Sequence, residues 1–483
     1  NELVELESNG ILFADTKKSR QIQEKLFFYA AVSCASEKVI LIYNSAKPSR
    51  GSVGILRIES LIKNVNKSKF GENTADYCFS PIAAAENINK INNAALIKRL
   101  DKLGYNYKKI AEQNPISDKS AQITPLFDKK MSISPSKLEK YTYCGFSYFG
   151  QYVLKLAQNK KAEFSNAEIG TYIHKVLEEF VSSHIVNNKF EKPSAEKIKQ
   201  EVDNITEKYI LSVCGTITEK SKRFLYILKR IKITLYKLVD NICRELENCG
   251  FVPFGFEVKL GENDIKCAEY KTESGLQIIL RGTIDRIDIL EKNGKKYIRV
   301  VDYKTGAKVY SKKAVENGLD LQMFLYLFAV CNSMENSVPA GVLYLPSKLN
   351  VCKTDTEMLA AEVEEAFDKQ FKRNGLVIND ENVLSEMEPQ LIGKYIPALK
   401  NADGQFSLRS SIASIEEIGA LSIGLENYIK KLAESMISGN MSVSPLKLNS
   451  DYNACKYCDL KSACRLSLEK CVSREKNENT INF

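Results

Sequence analysis

The stretch that decides the fold is Arg281-Gly-Thr-Ile-Asp-Arg-Ile-Asp-Ile-Leu-Glu-Lys-Asn-Gly-Lys-Lys-Tyr-Ile-Arg-Val-Val-Asp-Tyr-Lys-Thr-Gly306. Two runs rich in β-branched residues flank Asn293-Gly294, and this dipeptide is the strongest short signal for a two-residue type I′ hairpin turn. Such a turn sets the pairing of the two strands, and it predicts that Asp285 faces Asp302 across them. The stretch therefore predicts a β-hairpin that ends in two opposed carboxylates.

Between the turn and the two aspartates, the face of the predicted hairpin that carries the carboxylates is apolar. The other predicted pairs are Ile289 with Ile298, Ile287 with Val300 and Thr283 with Lys304 on that face, and Asp288 with Arg299 on the opposite face. Like charges that face each other across two strands are destabilising. A divalent cation would remove this penalty, because hard cations bind carboxylate oxygens.

Asp285, Asp302 and Lys304 also form a set that could hydrolyse a phosphodiester. A metal ion held by the two carboxylates can bind a phosphate oxygen and acidify a water molecule. Lys304 could orient or deprotonate that water, or stabilise the charge of the transition state. The alternative is a solvated hairpin whose aspartates only mark its open end.

The order Gly-x-Ile-Asp followed by Asp-Tyr-Lys-Thr-Gly resembles the core of the PD-(D/E)XK nucleases, in particular their RecB-like branch. Gly170-Thr-Tyr-Ile-His174 looks like the upstream helical segment of that branch, which supplies a metal-binding histidine. The resemblance implies an α/β fold with a mixed sheet flanked by helices. It also implies that His174, Asp285, Asp302 and the backbone carbonyl of Tyr303 bind Mg²⁺, and that Lys304 assists the water.

Two further segments resemble the same family. Gln322-Met-Phe-Leu-Tyr326 looks like its Gln-x-x-x-Tyr motif, whose two members lie one helical turn apart and position DNA near the metal. A core helix with one satisfied amide is the alternative for this pair. Glu257 matches an acidic position on the strand before the hairpin, and two roles stay open for it: it orients a ligand, or it binds a second metal.

The cysteines suggest a second metal site. The chain has 13 Cys, 2 His and no secretory signal, which favours a reducing compartment over a disulfide framework. Cys455, Cys458 and Cys464 follow a Cys-x₂-Cys-x₅-Cys pattern, and this spacing fits zinc as well as an iron–sulfur cluster.

The pattern resembles the AddB (RexB) subunits of bacterial ATP-dependent helicase–nucleases. In that family one cysteine before the nuclease motifs and three after them hold a [4Fe–4S] cluster, and Cys144 stands at the first position. Gly145 departs from the family, which usually has proline there. The resemblance implies a structural cluster that closes the nuclease domain into one loop.

The N-terminal part resembles a different element of the same subunits. Residues 24–43 look like the last motif of UvrD/Rep-like helicases, but the helix lacks the arginine that reaches the nucleotide. No Gly-x-x-x-x-Gly-Lys-[Ser/Thr] phosphate loop occurs in the chain. We therefore expect a piece of a helicase-like domain, begun upstream of Asn1, that cannot hydrolyse ATP alone.

Composition limits the remaining possibilities. The chain has 483 residues, 44% hydrophobic and 27% charged, with a net charge of +9. These values exclude a mainly disordered chain, and no apolar run is long enough for a transmembrane helix. We predict three parts: a helicase-like remnant and linker at 1–128, the nuclease domain at 129–470 and a polar tail at 471–483.

The expected function is that of a cytoplasmic, Mg²⁺-dependent DNA exonuclease subunit. The resemblance implies hydrolysis of single-stranded DNA, in particular the 5′-ended strand, during double-strand-break processing, and a heterodimer with an AddA-type helicase–nuclease subunit. Two alternatives stay open: a catalytically inactive DNA-binding clamp subunit, and a stand-alone CRISPR-associated RecB-like exonuclease.

Overall fold

The structure is a computed structural model that divides into two compact units, Asn1–Gln113 and Asn114–Phe483. It describes residues 17–41, 53–62, 80, 84, 94–104, 130–156, 166–214, 222–262, 265–306, 309–348, 360–460, 464, 474, 476–477 and 480–481. The functional division of the chain at 128 and 470 stays a prediction.

The described part of the first unit is helical. Its helices are α1 (Lys17–Ser33), α2 (Val53–Leu61) and α3 (Ala94–Lys102). The apolar run Ile11-Leu12-Phe13-Ala14 predicts a strand, and these residues lie outside the described part of the chain. The short apolar run at 38–43 predicts a buried strand. This prediction is wrong for residues 38–41, which are exposed and without regular structure, while 42 and 43 are not described. A strand needs a hydrogen-bonded neighbour, and the described residues of this unit contain none.

The second unit has a mixed α/β architecture, as the sequence predicts. Its first elements are β1 (Lys130–Ile133), α4 (Pro135–Tyr143), α5 (Gly145–Tyr148), a π-helical turn (Phe149–Val153), α6 (Asn166–Ser183), β2 (Ile185–Val186), β3 (Lys189–Phe190), α7 (Ala195–Cys214) and α8 (Lys222–Glu247). The strands and helices that follow are β4 (Val252–Lys259), β5 (Glu269–Lys271), β6 (Gln277–Leu280), β7 (Thr283–Lys292), β8 (Lys295–Lys304), α9 (Lys312–Glu316), α10 (Gln322–Ser333) and β9 (Ser337–Pro346). The last are α11 (Ala360–Gln370), β10 (Asn374–Ile378), α12 (Glu381–Met387), β11 (Ile412–Ala413) and α13 (Ile415–Ile437).

The main sheet has six strands in the order β11-β10-β9-β8-β7-β4. β7 and β8 form the predicted hairpin, in which Ile287 pairs with Val300 and Ile289 with Ile298. Asn293 and Gly294 both have positive φ angles, 53° and 70°, as a type I′ turn requires. The predicted register is confirmed from Arg286 to Lys292.

The connection from β8 to β9 places a helix beside the open end of the hairpin. These two strands are parallel neighbours, so the chain must cross over between them, and α10 packs on both. The helix therefore begins near the carboxyl end of β8, where Asp302 lies. This topology brings Gln322, the first residue of α10, to Asp302.

The apolar pattern of residues 276–290 predicts one strand, but this segment forms two strands in two different sheets. β6 pairs with β1 and β5, whereas β7 pairs with β4 and β8. The chain changes sheets at Arg281-Gly282, where the Arg281 N–H donates to the carbonyl of Ile133. A Cβ on Gly282 would lie 2.2 Å from the hydroxyl of Tyr326, so this position needs glycine.

A buried network of charges stabilises the other face of the hairpin. Arg286 donates two hydrogen bonds of 2.8 Å to Asp288, and Arg299 donates one of 2.7 Å to the same carboxylate. Glu245 of α8 lies 3.2 Å from Arg299 and accepts a 2.6 Å hydrogen bond from Arg373. All five side chains are almost completely buried. The predicted pair of Asp288 with Arg299 is therefore confirmed as part of a larger network.

The described residues of the segment predicted as a polar tail pack on the second unit. Arg474 donates a 2.7 Å hydrogen bond to the carbonyl of Thr142, and Asn477 donates to the carbonyl of Asn317 at 3.0 Å. Ile481 is 1% exposed. These contacts tie the end of the chain to the region around α4 and α9.

Among the described residues, no helix is both long and apolar enough to cross a membrane.

Candidate metal centre

His174 lies at the centre of the candidate site. It belongs to α6, whose residues Tyr172, Ile173, Val176 and Leu177 are buried, and its own ring is partly exposed at the edge of this apolar stripe. Its Nδ1 donates a 3.1 Å hydrogen bond to Glu257, and its Nε2 donates a 3.0 Å hydrogen bond to the carbonyl of Tyr303. A carbonyl oxygen can only accept, so Nε2 carries a proton, and a second proton on Nδ1 makes the ring an imidazolium.

The electrostatics of the site agree with this protonation state. Burial lowers the pKa of His174, but the hydrogen bond to Glu257 and the charge of Asp285 together outweigh burial and raise this pKa to about 9. A cation that binds here must displace the ring proton, because only a neutral imidazole nitrogen can be a ligand.

Glu257 reaches His174 through an unusual backbone conformation. It lies on the edge strand β4 with a φ of 46°, shortly after an irregularity in strand pairing between Pro253 and Gly255. A left-handed residue of this type costs about 1–2 kcal/mol, and such strain is concentrated at functional sites. The bulged edge strand turns the carboxylate towards the histidine.

Asp285 completes a compact group of donors. The donor atoms of His174, Glu257 and Asp285 all lie within 4.8 Å of one another. Burial and the nearby charge of Asp302 raise the pKa of Asp285 well above its usual range, and the N–H of Tyr303 donates a 2.9 Å hydrogen bond to its carboxylate. Two oxygen donors and one imidazole suit a hard divalent cation, whose charge would relieve the repulsion between the aspartates.

Asp302 is buried at the end of β8 and has two side-chain partners. Lys304 Nζ lies 2.6 Å from its Oδ2, and Gln322 donates a 3.4 Å hydrogen bond to its Oδ1. Asp302 is thus near the predicted ligands, but Glu257 takes its place in the compact group. The carboxylate of Asp302 is instead paired with the ammonium group of Lys304.

Tyr326 lies one helical turn after Gln322 on α10 and is 5% exposed. Burial raises the pKa of its hydroxyl, and the charges of Asp285 and Asp302 raise this pKa further. The structure therefore brings Gln322 and Tyr326 to the same end of the hairpin as the two aspartates, as the sequence predicts.

The candidate site opens into a cleft of about 390 Å³. Its lining residues are Gly170, Thr171, His174, Lys175, Glu178 and Glu257. Sequence reasoning missed Thr171, Lys175 and Glu178, although helical spacing could have found them: Glu178 lies one turn after His174, and Lys175 one turn after Thr171. Lys175 lies 3.1 Å from Glu178 and 3.3 Å from Glu179, so these two carboxylates compensate its charge.

The predicted cysteine site brings two distant segments together. Cys144 is buried at the carboxyl end of α4, a helix capped at its start by Ser134 as the sequence predicts. Ser147, three residues later, lies 3.8 Å from the sulfur of Cys458. Leu446 donates a backbone hydrogen bond of 2.8 Å to Tyr143, which joins the same two segments.

The four predicted cysteine ligands are not joined in disulfide bonds. Burial raises the pKa of Cys144, and the neighbouring Cys458 contributes to the same shift. Among the described residues, the four sulfurs do not include a three-membered group as compact as the one around His174.

Comparisons with known proteins agree with this geometry. The family model described as the PD-(D/E)XK nuclease superfamily matches residues 132–465.

A Clostridioides difficile protein, named as one subunit of an ATP-dependent helicase/deoxyribonuclease, is 30% identical over 99% of this chain and 46% of its own length. A protein of the same name from Thermoanaerobacter sp. is 33% identical over 76% of this chain and 32% of its own length. The chain spans no more than about half the length of these curated relatives. Since the matched region contains every residue of the candidate metal centre, the chain belongs to the PD-(D/E)XK nuclease superfamily.

Proposed function

We propose that this chain is the nuclease part of a helicase–nuclease subunit, and that it hydrolyses phosphodiester bonds of single-stranded DNA with Mg²⁺. The observation that carries the proposal is the compact group of His174, Glu257 and Asp285 beside the Asp302–Lys304 pair. The reaction needs such side chains close together: donors for a hard cation, a second carboxylate and a positive charge.

The metal ligands would be His174, Asp285, Asp302 and the carbonyl of Tyr303, with Glu257 as a further carboxylate ligand. That carbonyl already faces the site, because it accepts the hydrogen bond from His174. When bound, the cation supplies positive charge to the phosphate and acidifies water.

The other residues act on the substrate and on the protonation of the site. Lys304, whose ammonium group lies 2.6 Å from Asp302, would orient the attacking water or neutralise charge on the phosphate. Gln322 would help to orient Asp302, to which it donates a hydrogen bond, while the buried Tyr326 lies one helical turn further along α10.

The names of the relatives support the choice of substrate and partner. Each is named as one subunit of an ATP-dependent helicase/deoxyribonuclease, which suggests that this chain acts on DNA together with another polypeptide. We infer that this other polypeptide is an AddA-type helicase–nuclease subunit, as the resemblance of the chain to AddB-type subunits implies. The emerging 5′-ended strand would then be cut during the processing of double-strand breaks.

A nuclease assay on the whole chain tests this function. The chain is incubated with single-stranded DNA labelled at one end or the other, with Mg²⁺ or with excess EDTA. We expect end-dependent shortening of the DNA with Mg²⁺ and none with EDTA, because the carboxylates need a cation to activate water. Unchanged DNA in both samples, with DNA binding intact, would favour the inactive clamp subunit instead.

Cys144, Cys455, Cys458 and Cys464 would hold a [4Fe–4S] cluster. Two observations support this proposal: Cys144 lies at the segment that contacts Cys458, and the sulfurs of these two residues are not joined in a disulfide. Thiolates are the usual ligands of such clusters. A link from Cys144 to the C-terminal cysteines closes a loop of more than about 300 residues, which stabilises the folded unit by several kcal/mol if it acts like a disulfide.

Replacement of Cys144 by serine tests the cluster. The wild-type chain prepared without oxygen should be coloured and should hold about four irons, whereas Cys144→Ser should lose most of this iron and melt at a lower temperature. The measurements are the visible absorbance, the iron and zinc contents and the thermal unfolding curve. Cys34→Ser is the control, because Cys34 is an exposed thiol in the first unit. A colourless wild-type protein with one zinc would contradict the assignment.

A further inference from the structure

The two residues that precede α10 are held by both cysteine-bearing segments. The N–H of Leu321 donates a 2.9 Å hydrogen bond to Glu139, which lies on α4, the helix that ends at Cys144. The hydroxyl of Tyr452 donates a 2.5 Å hydrogen bond to Asp320, and Tyr452 lies three residues before Cys455. Both halves of the cysteine site therefore contact the start of the same helix.

Asp320 and Tyr452, which form this contact, are each held in place by their surroundings. Asp320 is 6% exposed and has a φ of 57°, a conformation that few residue types adopt and that its surroundings must maintain. Tyr452 is fixed by its own turn, in which Asn449 accepts its N–H at 2.9 Å and Leu448 donates to its carbonyl at 2.9 Å. A displacement of this turn would thus be transmitted to Asp320.

The start of α10 depends on these outside contacts. Its N-cap residue is Leu321, whose side chain cannot accept a hydrogen bond, so the helix lacks the side-chain cap that usually orders its first turn. The carboxylate of Glu139, from another helix, accepts the N–H of this N-cap residue, as the N3 side chain of a capping box does, and its charge also suits the positive end of α10.

The first turn of α10 in turn positions a carboxylate of the candidate metal centre. Gln322 follows Leu321 directly and donates to Asp302 Oδ1 at 3.4 Å. Tyr452 therefore contacts Asp320, which is joined through Leu321 to Gln322, and Gln322 contacts Asp302. Glu139 contacts the same turn at Leu321.

We propose that Tyr452 and Glu139 are positioning residues that couple the cysteine site to Asp302 through the first turn of α10. This inference rests on the proposed nuclease function and deepens it. When the cysteine-bearing segments loosen, Gln322 loses its fixed position, and turnover falls before the domain unfolds.

Tyr452→Phe is the variant that tests the coupling, because it removes one hydroxyl and leaves the ring. We expect a fivefold to tenfold decrease in kcat, about the effect of one lost hydrogen bond. The KM for DNA, the metal content of the cysteine site and the melting temperature should stay at the values of the control variant Tyr457→Phe. Tyr457 is suitable because it is 84% exposed and lies in the same segment.

A double-mutant cycle shows whether Tyr452 acts through Gln322. In the Gln322→Ala background, Tyr452→Phe should change kcat by less than about twofold, because the coupled partner is already absent. Additive effects of the two substitutions would overturn the proposal. It would also be overturned if Tyr452→Phe matched Tyr457→Phe, or if kcat fell only in proportion to a loss of metal from the cysteine site.

Amide hydrogen exchange gives a readout that does not need catalysis. Tyr452→Phe should speed exchange in the first turn of α10, residues 322–325, by about fivefold to tenfold, and Tyr457→Phe should not. If the wild-type chain cleaves no DNA, the proposed function fails, and hydrogen exchange alone then decides the coupling. Unchanged exchange in Tyr452→Phe would overturn it.

Discussion

Replacement of Asp302 by alanine is expected to lower the rate of Mg²⁺-dependent DNA cleavage by about a thousandfold or more. The carboxylate is 2% exposed and lies between Lys304 and Gln322, next to Asp285. Its loss would remove one of the proposed metal ligands and would leave the Lys304 ammonium group without its carboxylate partner.

The measurement is the single-turnover cleavage rate at saturating Mg²⁺, with DNA binding measured in parallel in EDTA. Glu291→Gln is the matched control, because Glu291 is a 75% exposed acid on the partner strand β7. DNA binding should be retained in both variants. Cleavage by Asp302→Ala at the wild-type rate would show that the activity does not arise from this site.

Replacement of Glu245 by alanine is expected to destabilise the second unit by about 3–5 kcal/mol, the cost of breaking a buried ion pair by removing one partner. Glu245 is fully buried between Arg299 and Arg373. The network has three arginines and two carboxylates, so the loss of one carboxylate leaves a larger uncompensated positive charge in the core. The free energy of unfolding in urea measures this effect.

Glu247→Gln is the control for this prediction. Glu247 lies on the same helix, its side chain is 48% exposed, and it pairs with Lys192. Exposed pairs of this type contribute about 1 kcal/mol or less. A similar stability for the two variants would mean that the buried network does not stabilise the fold.

The same residue gives a pH dependence with a definite sign. Burial alone would raise the pKa of Glu245, but the charges of Arg373, Arg299 and Arg286 outweigh burial and lower it to about 2. A carboxyl whose pKa is depressed in the folded state stabilises the fold above its unfolded pKa, and this contribution is lost as the pH falls. We expect wild-type stability to decrease between about pH 4.5 and pH 2, and a Glu245→Gln variant to show a weaker dependence in that range.

Local sequence rules were sufficient to predict the structural features that depend only on residues close together in the chain. Asn293-Gly294 determines the turn, the turn determines the register, and the register places Asp285 and Asp302 at the open end of the hairpin. Ser134 and Pro135 predict the start of α4 in the same way, because capping acts within one helical turn. His174 required the family resemblance in addition, since helical periodicity alone places it only at the edge of an apolar stripe.

Long-range packing decided the rest. The sequence alone does not determine the role of Glu257, because the position of its side chain depends on a bulged edge strand and a positive φ angle. No local sequence pattern encodes that geometry. The separation of β6 from β7 depends on β1, a strand more than 100 residues earlier in the chain. The contacts that position the residues before Gln322 come from Glu139 and Tyr452. These two residues lie far apart in sequence and come together only when α4 and the cysteine-bearing turn pack beside α10. The local sequence thus specified which side chains the hairpin carries. The folded chain determined which charges, ligands and helix contacts surround those side chains, because these depend on distances between segments that a linear sequence does not contain.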